Sequence, residues 1–167
     1  MEISKEMQAL IDEQNETDKK TADGITVAAQ KLQSDKAAQK AKEDFAKNSL
    51  GDLIGCLNQS IDEWNSVRKD HFRPSGTATK MRVEHSSQVK VDIGQLGIFV
   101  NVILWSKRRH PNNSSLPLTV TKIYLPELDG DGLLQWHLNG KHATTKTLAA
   151  TILKAAVNDD DSILDLQ

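Results

Sequence analysis

An α+β fold, with helices on either side of an antiparallel sheet, is predicted by three features of the sequence. Apolar residues recur every three or four positions up to about residue 70, which is helical spacing. Between Thr77 and Leu138 the period drops to two, the spacing of half-buried strands, and after Thr144 it returns to three or four. The period-two segments are joined by short stretches such as Asp129-Gly130-Asp131-Gly132, with no crossover helix of the kind that parallel strands require. The expected architecture is therefore N-terminal helices, a sheet of four to five antiparallel strands, and a C-terminal helix packed on the sheet.

Residues 1–47 combine many Lys, Gln, Ala, Asp and Glu with a single aromatic, Phe45, and no proline. That composition favours helix and offers little to a core. Ile3, Met7 and Leu10 begin a narrow stripe that lapses at Gln14 and Thr17 and resumes after Gly24 as Ile25, Ala28 and Leu32. The interruption leaves two readings, a solvated or partly disordered extension and a coiled-coil segment that self-associates.

From Ser49 the pattern strengthens: Leu50, Leu53, Ile54, Leu57, Ile61, Trp64 and Val67 form one wide apolar face. Ser49 has the chemistry of an N-cap with Asp52 in the capping-box position, and Pro74 and Gly76 are expected to close the element. These signals predict a separate helix that opens an α+β domain over 48–158.

Two strands are expected on either side of His85-Ser86-Ser87-Gln88, carrying Met81 and Val83 on one side and Val89, Val91 and Ile93 on the other. Residues 98–105 are apolar on both faces apart from Asn101, which predicts a central strand covered on both sides, and if both flanking helices grip one face the other is left for residues 1–47 or a partner to cover. Leu118 to Leu125 and Leu133 to Leu138 supply the remaining strands. Thr144 or Thr145 caps a last helix whose Leu148, Ala149, Ile152, Leu153 and Ala156 share one side, ending near Asn158. Residues 159–167 form an acidic tail that contains Ile163, Leu164 and Leu166, more aliphatic content than a merely solvated tail requires.

The charge balance, 21 Lys and Arg against 23 Asp and Glu, marks neither a general polyanion binder nor an acidic solvating protein. Cys56 is the single cysteine, which excludes an internal disulfide and a thiolate zinc site and suits a reducing compartment. The acidic start MEISKEMQALIDEQNE lacks a basic-then-apolar leader, and no apolar run approaches about 18 residues, so a cytoplasmic, unanchored protein with no membrane association is expected.

Few motifs carry chemistry. His71, His85, His110, His137 and His142 show no His-Glu-x-x-His spacing, and Cys56, among helical apolar residues, has no local base to activate it. Asp129-Gly130-Asp131-Gly132 superficially matches a calcium loop, but Gly140 stands where a bidentate Glu is needed. Asn139-Gly140-Lys141-His142 precedes a helix without P-loop spacing, so a turn and N-cap explain it better than a phosphate site. No catalytic residue, cofactor or metal site is therefore assigned.

The largest local charge lies in residues 68–110, where nine Lys and Arg meet three Asp and Glu. Lys107, Arg108, Arg109 and His110 are expected in a hairpin loop beside Trp105. Such a loop can be simply solvated, can hold the acidic tail, or, together with Arg73, can reach nucleic-acid phosphates.

The leading expectation is a non-enzymatic, adaptor or chaperone-like domain that binds a protein partner or itself. Arg73, Trp105, Lys107, Arg108, Arg109, Ile163, Leu164 and Leu166 are its candidate contact residues. Phosphate binding by the 107–110 segment, and with it association with nucleic acid, is the alternative.

Overall fold

The computed structural model describes residues 5–166. The class is α+β: one long helix, seven antiparallel strands and a second helix, followed by a 3-10 turn. The chain divides into two compact units, residues up to Ala41 and Lys42–Gln167. Ile3, the first residue of the expected stripe, lies outside the described residues.

α1 runs unbroken from Lys5 to Val67, so a single helix replaces the expected set of N-terminal helices. Gly24 does not interrupt it, because one glycine inside a helix costs only about 1 kcal/mol relative to alanine. Ser49 is not an N-cap: its hydroxyl donates to the Phe45 carbonyl one turn back, an interior arrangement that competes with capping. In the first unit every described side chain from Lys5 to Ala41 is exposed. In the second, Ala46, Leu50, Leu53, Ile54, Leu57 and Ile61 enter the core, whereas Val67 stays outside it.

The sheet is a meander in which each strand pairs with the next, β1 (Phe72–Thr77), β2 (Lys80–His85), β3 (Lys90–Leu96), β4 (Phe99–His110), β5 (Asn113–Leu128), β6 (Leu134–Leu138) and β7 (Lys141–Thr144). Seven strands rather than four or five arise at both ends of the sheet. β1 contains Pro74 and Gly76, which were expected to close a helix. They are tolerated because β1 is an edge strand, where a missing ladder donor does no harm. Gly76 has φ of +125°, and a Cβ there would meet the Lys80 carbonyl oxygen at 2.2 Å, so the β1–β2 hairpin requires glycine. At the other end, Asn139 and Gly140 both have positive φ, the requirement of a tight two-residue hairpin turn, and they join β6 to the short β7.

α2 spans Thr145–Asn158, with Thr144 accepting from the Thr147 amide as N-cap. Its buried face is Leu148, Ala149, Ile152, Leu153, Ala155 and Ala156, the expected stripe with one addition. These side chains join Leu50, Leu53, Leu57 and Ile61 of α1 and Val83, Val91, Val102, Tyr124 and Trp136 of the strands in one buried cluster. Both helical segments thus cover the same sheet face.

Within the second unit the other face is open, the arrangement expected where both helical segments grip one face. Along β4, Val100, Val102 and Leu104 are fully buried, while Phe99 and Trp105 on the alternate phase are 37% and 36% exposed.

Candidate functional site

The open face is built on β2 to β5, and register fixes which side chains meet. Arg82 pairs with Asp92, and Asp92 with Ile103 on β4. The Arg82 guanidinium donates to both Asp92 oxygens, at 2.6 and 2.7 Å, in the bidentate geometry that a planar fork and a carboxylate favour. Trp105 Nε1 donates to Asp92 Oδ2 at 2.9 Å. The Arg82 guanidinium, with help from the Trp105 indole, holds the Asp92 carboxyl below the usual carboxylate range, so the anion persists under a partly exposed tryptophan.

Beside this anchor lies an apolar strip. Phe99 and Ile103 of β4 flank Asn101, whose cross-strand partner is Ile123 of β5. Leu96, opposite Phe99 across the β3–β4 turn, and Ile123 are exposed as well. A cleft of about 410 Å³ opens at one end of the strip between Arg82, Lys90, Trp105 and Pro117. Such a surface offers shape and apolar area with a fixed polar anchor, but no nucleophile paired with a base.

The basic cluster has a different place from the expected one. Lys107, Arg108, Arg109 and His110 are the last residues of β4, not a loop, and only Pro111 and Asn112 turn the chain into β5. β3 pairs no further along β4 than Trp105, so residues 106–118 continue as a two-stranded ribbon with an irregular register between Trp105 and His110. Lys107 and Arg109 are exposed. Arg108 is engaged: Nη2 donates to Asp161 Oδ1 at 2.6 Å and Nε to the Ser106 hydroxyl at 3.1 Å.

The acidic tail therefore docks on its own chain. Residues Asp161–Asp165 form a 3-10 turn capped by the Asp160 carboxylate. Leu164 is fully buried, Leu166 nearly so, and Ile163 packs against the core. Tyr124 Oη donates to the Leu164 carbonyl at 2.6 Å, and the Lys122 ammonium bonds Asp165. Burial, reinforced by Asp165, pushes the Tyr124 hydroxyl far above its ordinary value, so it remains a donor. Of the candidate contact residues, Leu164 and Leu166 are thus spent on internal packing.

Arg73 lies on β1 opposite Glu84, three strands from Arg108, and does not join the basic ribbon. Among the described residues, no three His, Cys, Asp or Glu side chains gather into a metal-holding group. His137 and His142 face each other across β6 and β7, with ring centroids 5.8 Å apart. His85 is buried against Phe72, with its ring nitrogens on Ser87 and Asp70, a bracing role at the β2–β3 turn. Cys56 is half-buried at the edge of the core. Among the described residues no helix is long and apolar enough to cross a membrane.

No protein-family profile, curated protein or solved structure matches the chain significantly.

Sequence reasoning located Trp105 but missed Arg82, Asp92 and Ile123. The signal was available: Arg82 and Asp92 occupy the polar phase of adjacent period-two segments, and opposite charges on that phase are natural cross-strand partners.

Proposed function

We propose that the chain is a non-enzymatic interaction domain that takes a protein partner on the open face of its sheet. The observation that carries this reading is the strip of exposed Phe99, Trp105 and Ile123, with the half-buried Ile103 among them, on the side of the sheet opposite both helical segments. Exposed apolar side chains interleaved with and rimmed by polar ones are the usual character of a protein-binding surface. Trp105 and Arg82 add the residue types that most often dominate such interfaces, and the carboxylate between them holds both in place before binding.

Phosphate recognition by the 107–110 ribbon is the second reading, favoured by the exposed Lys107 and Arg109. Against it stand the engagement of Arg108 by Asp161 and the distance of Arg73 across the sheet. The acidic side chains beside the ribbon would also repel a polyanion.

The two readings separate by photo-crosslinking in the cells that make the protein. A photoreactive residue replacing Phe99 or Ile123 is expected to give a discrete protein adduct, resistant to nuclease, that is missing when the probe replaces Lys154 on the exposed side of α2. Adducts only from a probe at Lys107 or Arg109, removed by nuclease, would support the second reading and overturn the first.

A further inference from the structure

We propose that the N-terminal part of α1, residues 5–41, is a self-association segment that pairs antiparallel with the same segment of a second copy of this chain. The proposal is independent of the sheet face and rests on two patterns in the segment itself.

The first pattern is a stripe along one side of the helix, apolar towards its ends and polar in its middle. Leu10, Thr21 and Leu32 are eleven positions apart, as are Gln14 and Ile25, and Thr17 and Ala28. Eleven residues complete three helical turns with about 20° to spare, so over two repeats Leu10, Thr21 and Leu32 stay on one side of the helix. Leu10 is 65% exposed, Ile25 66% and Leu32 56%, so the stripe is open along its length.

The second pattern is charge. Residues 5–20 hold Glu6, Asp12, Glu13, Glu16 and Asp18 against Lys5, Lys19 and Lys20, while residues 22–41 hold Lys31, Lys36 and Lys40 against Asp23 and Asp35, so the net charge is negative before Thr21 and positive after it. A parallel pair would set like charge against like. An antiparallel pair centred near Thr21 sets the acidic end of each copy on the basic end of the other, and the same register places Leu10 opposite Leu32. Leu10 and Leu32 are equally far from Thr21, and the charge changes sign about the same point. A segment complementary to its own reverse fits a two-fold pair of copies, and an unrelated partner would need neither symmetry. Gln14, Thr17 and Thr21 leave the centre of the stripe polar, so the pairing is reversible and concentration-dependent.

The test is sedimentation equilibrium of the full chain over a range of concentrations. The parent chain is expected to approach a dimer, and Leu10→Glu/Leu32→Glu to raise its dissociation constant about tenfold or more, as burying charge in an apolar seam demands. Lys31→Glu/Lys36→Glu/Lys40→Glu is expected to weaken self-pairing likewise, and mixing it with Asp12→Lys/Glu13→Lys/Asp18→Lys is expected to restore dimers. All these positions are exposed and helical, so unchanged helix content and melting temperature show that folding is intact. Orientation follows from spin labels in a Cys56→Ser background. Labels at Thr21→Cys are expected close together, and labels at Gln8→Cys roughly 39 Å apart, from thirteen residues of 1.5 Å rise on each side of the centre. A monomer at every concentration, a dimer indifferent to both arm variants, or short distances at both labels would each overturn the proposal.

Discussion

Arg108 and Asp161, 53 positions apart, share a hydrogen-bonded ion pair of 2.6 Å that ties the last residues of β4 to the C-terminal turn. The basic and acidic extremes of the sequence thus meet within one chain, and the tail's leucines are carried with them into the core. The Arg108 guanidinium holds the Asp161 carboxyl below the ordinary carboxylate range.

Because the folded value is depressed, this pair stabilises the docked tail at pH above the unfolded carboxylate value of about 4. The contribution is lost as pH falls through the folded value. Both partners are partly exposed, so its size is expected to stay below about 1 kcal/mol. The protection of residues 160–166 against hydrogen exchange, taken relative to the intrinsic rate at each pH, should fall on acidification below about pH 4, and Asp161→Asn should show the lower protection already at neutral pH.

Leu164 holds the tail more firmly than the ion pair does. It is fully buried, so Leu164→Ala is expected to cost about 2–4 kcal/mol. Tyr124→Phe, which strips the donor from the Leu164 carbonyl, is expected to cost about 1 kcal/mol. Urea unfolding of the two variants checks both values. A cost near zero for Leu164→Ala would mean that the tail is not part of the folded core.

At the opposite edge of the sheet, Gly76→Ala is expected to destabilise the β1–β2 hairpin by about 1–3 kcal/mol, since the new Cβ collides with the Lys80 backbone at a positive φ. Gly24→Ala, with open space around the Cβ and an interior helical position, is expected to stabilise by about 0.5–1 kcal/mol. Opposite signs for two glycine-to-alanine changes, read by thermal unfolding, separate the strained site from the free one.

Removing residues 1–41 is expected to leave a cooperatively folded remainder, because Lys42–Gln167 is a compact unit with its own core. A cut at residue 47 is expected to be less stable. It deletes the fully buried Ala46 and the Glu43 carbonyl that accepts from Gln95 Nε2. Comparing the melting temperatures of the two fragments locates the boundary.

The helix–sheet–helix order and the stripe of α2 were legible because period and capping chemistry agree there, with Thr144 setting the start and Leu148 to Ala156 the buried side. The N-terminal break was not, because Gly24 and Ser49 carry breaking and capping chemistry that a long helix overrides cheaply. β1 was hidden by Pro74 and Gly76, whose punctuation looks the same in an edge strand and in a helix-ending loop. The basic residues 107–110 looked like a loop because their strand is a ribbon beyond the reach of β3, where no buried face imposes alternation. As for the site, an apolar second face on β4 was legible, but composition does not distinguish a strand covered on both sides from one left open.

Affinity capture from the cells that make the protein distinguishes the open sheet face from the basic ribbon as the binding surface. The parent chain is compared with Phe99→Ser/Ile123→Asp and with Lys107→Glu/Arg109→Glu, recording both the co-purifying protein and the ratio of absorbance at 260 and 280 nm. The face variant is expected to lose a specific partner that the ribbon variant keeps, with no excess absorbance at 260 nm in any sample. Loss of bound nucleic acid in the ribbon variant, with the face variant behaving as the parent, would contradict binding at the open face.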